Sequence, residues 1–143
     1  GSVLGFLPMP FSALYSATKH AVEGYSESLD HELRTRGIRV SVIEPAYTRT
    51  KFDANFLAAD AMIDEYRDTR AALGKVLESV MASADAPGVV AEVVLQAASD
   101  SNPKLRYTAG GLANRLRLLR RFAPARMVDA GIRKDLRLDR SVS

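Results

Sequence analysis

Tyr15 and Lys19 stand four residues apart, the spacing that brings two side chains to one face of an α-helix. A free phenol has a pKa of about 10 and carries protons poorly at neutral pH. An ammonium group within reach stabilises the phenolate and brings the group into a useful range. A tyrosine so placed can pass a proton to or from a carbonyl or alcohol oxygen. A nearby hydroxyl would hold that oxygen by hydrogen bonding, and Ser2 lies thirteen residues before Tyr15 across an apolar loop rich in Gly and Pro. The four-residue spacing alone is a weak signal, because Tyr47 and Lys51 repeat it. That second pair follows Pro45 in an expected loop and has Arg34, not a hydroxyl, thirteen residues upstream, so it reads as coincidence.

The elements that must position these residues follow from the pattern. Residues 1–12 (GSVLGFLPMPFS) read as a strand end, with a stub at Val3-Leu4, running into a loop. Ser12 is placed to cap a helix over residues 13–36, in which Leu14, Ala17, Ala21, Tyr25, Leu29 and Leu33 recur at spacings of three and four. Gly37 follows Arg34 and Arg36 as a C-terminal signal. Ile38 to Ile43 is β-branched and predicts a strand, with residues 46–52 as the loop at its carboxyl end. A looser helical stretch is expected over 53–84, a clear helix from about Ala86 to Ala98 and a short strand over Leu105 to Ala109. Gly110-Gly111 ends that strand, and a basic helical tail occupies 112–143. Helices alternating with strands imply a parallel sheet, with the ligand beyond the carboxyl ends of the strands.

The segment SVLGFLPMPFSALYSATKHAVEGYSESL, followed by GIRVSVIEPAYTRT, resembles the short-chain dehydrogenase/reductase family in its Ser…Tyr-x-x-x-Lys array and in the distance to the next strand. The nearest likeness is to members of the 17β-hydroxysteroid and retinol dehydrogenase type. The resemblance is specific over about residues 2–52 and weak over 85–110. It implies an α/β fold, the C-terminal portion of a Rossmann-type doubly wound parallel sheet, mostly helical as a fragment. It implies that the 143 residues form one partial domain, the catalytic and substrate-binding half of a nicotinamide-dependent oxidoreductase, inactive alone. Tyr15 would be the acid/base, Lys19 would lower its pKa and bind the nicotinamide ribose, and Ser2 would hold the substrate oxygen. Where the family has Pro-Gly-x-x-x-Thr against the NAD or NADP cofactor, this chain has Pro45, Ala46, Tyr47, Thr48, Arg49 and Thr50. Ala46 replaces the glycine, and Pro45, Tyr47, Thr48 and Thr50 remain as candidate cofactor contacts. Leu4, Met9, Phe11, Phe52 and Phe56, with Leu57 and Met62, are candidates for an apolar pocket that takes an apolar alcohol or ketone. The family's Gly-rich dinucleotide turn is not in this sequence, so the chain alone is expected to bind no cofactor, and an uncovered helix and strand edge predict a homo-oligomer.

Composition narrows the alternatives. The sequence has no cysteine, so no disulfide or thiolate metal site is expected, and its two histidines, His20 and His31, are too few for a metal centre and read as surface residues. No apolar run reaches the roughly 20 residues that would span a bilayer, and the start lacks a basic leader, which together with the missing cysteines suggests a cytoplasmic protein. The formal charge of +3 gives no global pointer to nucleic acid. Charge is uneven, however: Arg115 to Arg140 holds nine Arg or Lys against three Asp. A solvated helix face is the plain explanation, so membrane contact is not expected. The competing functions are a non-catalytic association module and a binder of a membrane or acidic partner through Leu112, Leu116, Leu119, Phe122 and their arginine neighbours.

Overall fold

The structure is a computed structural model that describes residues 1–50 and 61–138. Helix α1 runs Ala13–Leu33, closes with a 3₁₀ turn at Arg34–Arg36 and leads to strand β1, Val42–Pro45. A 3₁₀ turn at Asp64–Tyr66 opens helix α2, Arg67–Ala82; helix α3, Pro87–Ser99, follows, then strand β2, Arg106–Ala109, and helices α4, Gly111–Phe122, and α5, Ala125–Asp135. β1 and β2 pair in parallel, Val42 opposite Arg106 through Pro45 opposite Ala109. α3 packs on both strands, while α1 packs on the N-terminal turn and α4 on β2 and that turn. No helix among the described residues is long and apolar enough to cross a membrane.

Helix α1 ends because Gly37 adopts φ 75°, a left-handed conformation that glycine reaches without steric cost. Ser12 stands at the cap position, but its side chain makes no capping bond. The expected stripe of Leu14, Ala17, Ala21 and Tyr25 marks the helix correctly yet faces away from the sheet; Leu14 is 86% and Tyr25 69% exposed. What α1 buries is polar: Ser16, Glu23 and Asp30, one residue every two turns.

Asp30 explains the junction that follows. Its fully buried carboxylate accepts bonds from Arg34, from Arg39 Nε at 2.9 Å and from the Val40 amide at 2.9 Å. Those donors, the Arg34 side chain foremost, hold the Asp30 carboxyl well below the usual carboxylate range. The strand expected over Ile38 to Ile43 therefore starts later. The Val40 amide is spent on Asp30, Ser41 uses its hydroxyl on the Lys104 carbonyl at 2.7 Å, and the ladder begins with the Val42 amide on the Leu105 carbonyl at 2.8 Å. Pro103, just upstream on the partner side, has no amide to extend it.

One further expectation shifts. Val3-Leu4 is not a strand stub but part of a 3₁₀ turn, Val3–Gly5. The basic helical tail divides into two helices, because Pro124 cannot continue α4 and instead caps α5. Hydrophobic burial is thin and dispersed over Val3, Leu7, Val42, Leu73, Ala84, Tyr107, Ala109, Ala113 and Val128. Buried polar groups do the joining between them.

Candidate active site

Ser2 enters the first 3₁₀ turn with extended backbone, and its hydroxyl accepts the Leu4 amide at 3.2 Å. The turn lies beside β1: a side chain added at Gly1 would meet the Ile43 carbonyl oxygen at 2.9 Å. It also lies on α1, because a Cβ at Gly5 would sit 2.5 Å from Glu23 Cγ. Glycine at position 5 is what allows that approach. The loop then crosses to the start of α1, where the Met9 amide donates to the buried Ser16 hydroxyl at 3.2 Å. Phe11 turns the chain with φ 59° and rests edge-on against Tyr66, with ring centroids 5.7 Å apart. The Arg70 guanidinium lies over the Phe11 ring, 5.6 Å from its centroid.

Tyr15 and Lys19 occupy the first two turns of α1, both half-buried, with Lys19 Nζ 5.2 Å from the Tyr15 ring centroid. The helical spacing read from the sequence is thus realised as a cation over the phenol. The Ser2 turn packs on α1, the helix that carries Tyr15 and Lys19.

The loop after β1 is pinned by Asp85. The Arg49 amide donates to the Asp85 carbonyl at 2.9 Å and the Asp85 amide to the Tyr47 carbonyl at 3.1 Å, giving an isolated parallel bridge between Thr48 and Asp85. Pro45 ends β1, and the bridge holds Tyr47 and Thr48 just beyond its carboxyl end, with Thr50 shortly after. Burial pushes the Tyr47 phenol up, away from proton exchange at neutral pH. Lys51 lies outside the described residues, as do Phe52, Phe56 and Leu57. Of the expected pocket residues, Leu4, Met9 and Phe11 are half-buried around the first loop, and Met62 is largely exposed. Both histidines are exposed. No group of His, Cys, Asp or Glu suited to a metal ion occurs among the described residues.

Beneath the site lies an ion cluster that periodicity did not reveal. Glu44 of β1 and Glu23 of α1 are buried, and Arg106 of β2 reaches Glu23 at 3.3 Å, Glu44 at 3.7 Å and Glu27 at 2.9 Å. Arg117 of α4 binds the other Glu44 oxygen. Burial first, and the charge of Glu44 second, push the Glu23 carboxyl above its ordinary range. The available signal was a charged residue inside each short strand, Glu44 in VIEP and Arg106 in RYTA, at positions that sheet burial ordinarily fills with apolar side chains.

Residues 1–61 match the family model described as short chain dehydrogenase. An uncharacterized oxidoreductase of Schizosaccharomyces pombe is 38% identical over 109 residues, 76% of this chain and 46% of the relative. The uncharacterized oxidoreductase YbbO of Escherichia coli is 32% identical over 131 residues, 90% of this chain and 44% of the relative. A short-chain dehydrogenase structure from Streptomyces avermitilis superimposes with a TM-score of 0.64 at 24% identity, covering 100% of this chain and 50% of that one. The chain belongs to the short-chain dehydrogenase/reductase family. Its fold is the corresponding part of that Rossmann-like architecture, mostly helical with a small parallel sheet. It spans less than half the length of the curated relatives it matches.

Proposed function

We propose that this chain carries the catalytic and substrate-binding part of a nicotinamide-dependent oxidoreductase that interconverts an alcohol and a ketone. The observation that carries the reading is the Lys19 ammonium over the Tyr15 phenol, on a helix locked against the Ser2 turn. In the reducing direction Tyr15 donates its phenolic proton to the substrate oxygen. In the oxidising direction the phenolate takes that proton back. Lys19 stabilises the negative charge that develops on the phenolic oxygen. The Ser2 hydroxyl, at the mouth of the 3₁₀ turn, holds the substrate oxygen in line with Tyr15.

The residues present suit the nicotinamide end of a dinucleotide. Tyr15 and Lys19 offer a hydroxyl and an ammonium, and the pinned loop after Pro45 offers Tyr47, Thr48 and Thr50 beyond the carboxyl end of β1. Bound there, the cofactor would supply or accept the hydride. The Gly-rich turn that would grip its pyrophosphate is not in this sequence, so the chain by itself should turn over no substrate. Leu4, Met9 and Phe11 give the first loop an apolar lining and favour an apolar substrate of the steroid or retinoid kind.

The test is substrate-dependent consumption of NADH or NADPH by the whole enzyme. Stoichiometric conversion of apolar ketones to alcohols, faster than of short polar sugars, is the expected result. A better rate on polar sugars would overturn the substrate class, and no nicotinamide turnover with any carbonyl compound would overturn the function.

A further inference from the structure

Among the described residues, the outer face of the C-terminal helices makes no contact that explains its composition. α4 buries Ala113 and sends Arg117 inward to Glu44. On its other side it carries Leu118, 58% exposed, Phe122, 73% exposed, and Leu119. Met127, at the start of α5, is 62% exposed, and Phe122 and Met127 flank the Ala123-Pro124 corner. Leu116, grouped with Leu112 and Leu119 by sequence, is partly covered instead, and Leu118 takes the outward place.

Charge says what such a face would meet. Between Asp100 and Asp129 the chain has no acidic residue and seven Arg or Lys. Arg117 is the one arginine of α4 with an ion-pair partner among the described residues. Arg115, Arg120, Arg121 and Arg126 are exposed around the apolar residues, and the Arg121 guanidinium sits 5.5 Å from the Phe122 ring centroid. A purely aqueous polyanion would match the arginines and leave Leu118, Phe122 and Met127 in water. A second protein surface would cover the apolar residues but would have to supply several carboxylates. Only a surface that is anionic in its outer layer and apolar just beneath satisfies both.

We propose that α4 and the first turn of α5 form a docking face for an anionic lipid surface. Leu118, Phe122 and Met127 enter the boundary between headgroups and acyl chains, and Arg115, Arg120, Arg121 and Arg126 hold the lipid phosphates around them. This runs against the sequence expectation of no membrane contact, and it is independent of the dehydrogenase chemistry.

The chain has no tryptophan, so Phe122→Trp gives a single reporter for the test. The full chain with this substitution is titrated with vesicles of phosphatidylcholine, alone or with one third phosphatidylglycerol. The expected result is a blue shift of the indole emission, and its quenching by brominated acyl chains, with the anionic vesicles only. Arg120→Gln and Arg121→Gln should each weaken binding about fivefold, and raised salt should weaken it further. In sedimentation with the same vesicles, Leu118→Ser with Phe122→Ser should abolish binding while leaving the thermal melt unchanged. An emission that does not move with anionic vesicles overturns the proposal. So does binding that survives the double serine variant and is matched by a single-stranded oligonucleotide, which marks a simple polyanion site. A lipid-free oligomer that the double serine variant converts to monomer also overturns it, because a second copy then covers this face.

Discussion

Replacing Arg106 by Met keeps most of the side-chain stem and removes the only ion-pair partner of Glu23 among the described residues. Glu44 keeps Arg117, but Glu23, buried beside it, loses its ion-pair partner. Removing one partner of a buried ion pair costs about 3–5 kcal/mol, because the other charge stays desolvated. Arg106 is only 23% exposed, so solvent screening reduces that figure little. At roughly 3 °C per kcal/mol for a chain of this length, the melting temperature at pH 7 should fall by about 10–15 °C.

The pH dependence supplies an independent check. The Glu23 carboxyl is already raised by burial and by Glu44. A raised carboxyl contributes stability that is present below its unfolded pKa and lost as pH rises through the folded value. Losing Arg106 raises it further, so the variant should recover much of its stability near pH 5 and lose it toward pH 8. Adding Glu23→Gln to Arg106→Met should restore at least half of the loss at pH 7. Thermal melts followed by circular dichroism at the two pH values decide the matter. A loss below about 1 kcal/mol, or one equal at pH 5 and pH 7, would refute the reasoning from this cluster.

Asp30→Asn should flatten the acid limb of stability. The Asp30 carboxyl is held low, so its contribution is present above the ordinary carboxylate pKa and lost as pH falls below it; equal slopes for parent and variant below pH 4 would contradict this. The isolated chain should bind neither NADH nor NADPH appreciably, and saturable micromolar binding by nicotinamide fluorescence would show that the Gly-rich turn is dispensable. The exposed apolar face of α1, Leu14 and Tyr25 foremost, should drive self-association; a stable monomer of 15.6 kDa in light scattering would oppose that.

Much of the fold was legible because local signals were strong. The spacing of α1, the Gly37 stop and the Pro87 start gave helices close to those observed. The Tyr15–Lys19 pair was legible for the same reason: four residues on a helix fix their juxtaposition whatever surrounds them. What failed was what depends on partners distant in sequence. β1 slid toward Pro45 because Asp30, ten residues before Val40, takes its amide, and because Pro103 offers none. The Val3-Leu4 stub became a 3₁₀ turn because the Ser2 hydroxyl and carbonyl accept the Leu4 and Gly5 amides locally. The Glu23–Glu44–Arg106–Arg117 cluster joins positions up to 94 residues apart (23 to 117), a pairing that no periodicity encodes. The apolar stripe of α1 was visible, but the sheet-facing side proved to be Ser16, Glu23 and Asp30, whose burial depends on partners elsewhere in the chain.

The central claim is that Tyr15 moves the proton, and Tyr15→Phe in the whole enzyme tests it most directly. The substitution removes the phenolic proton and keeps the ring beneath Lys19. General acid–base catalysis contributes about 10²–10⁴-fold, so kcat should fall by at least 100-fold, with affinity for the nicotinamide cofactor nearly unchanged. A Tyr15→Phe enzyme that keeps most of its kcat would contradict the assignment.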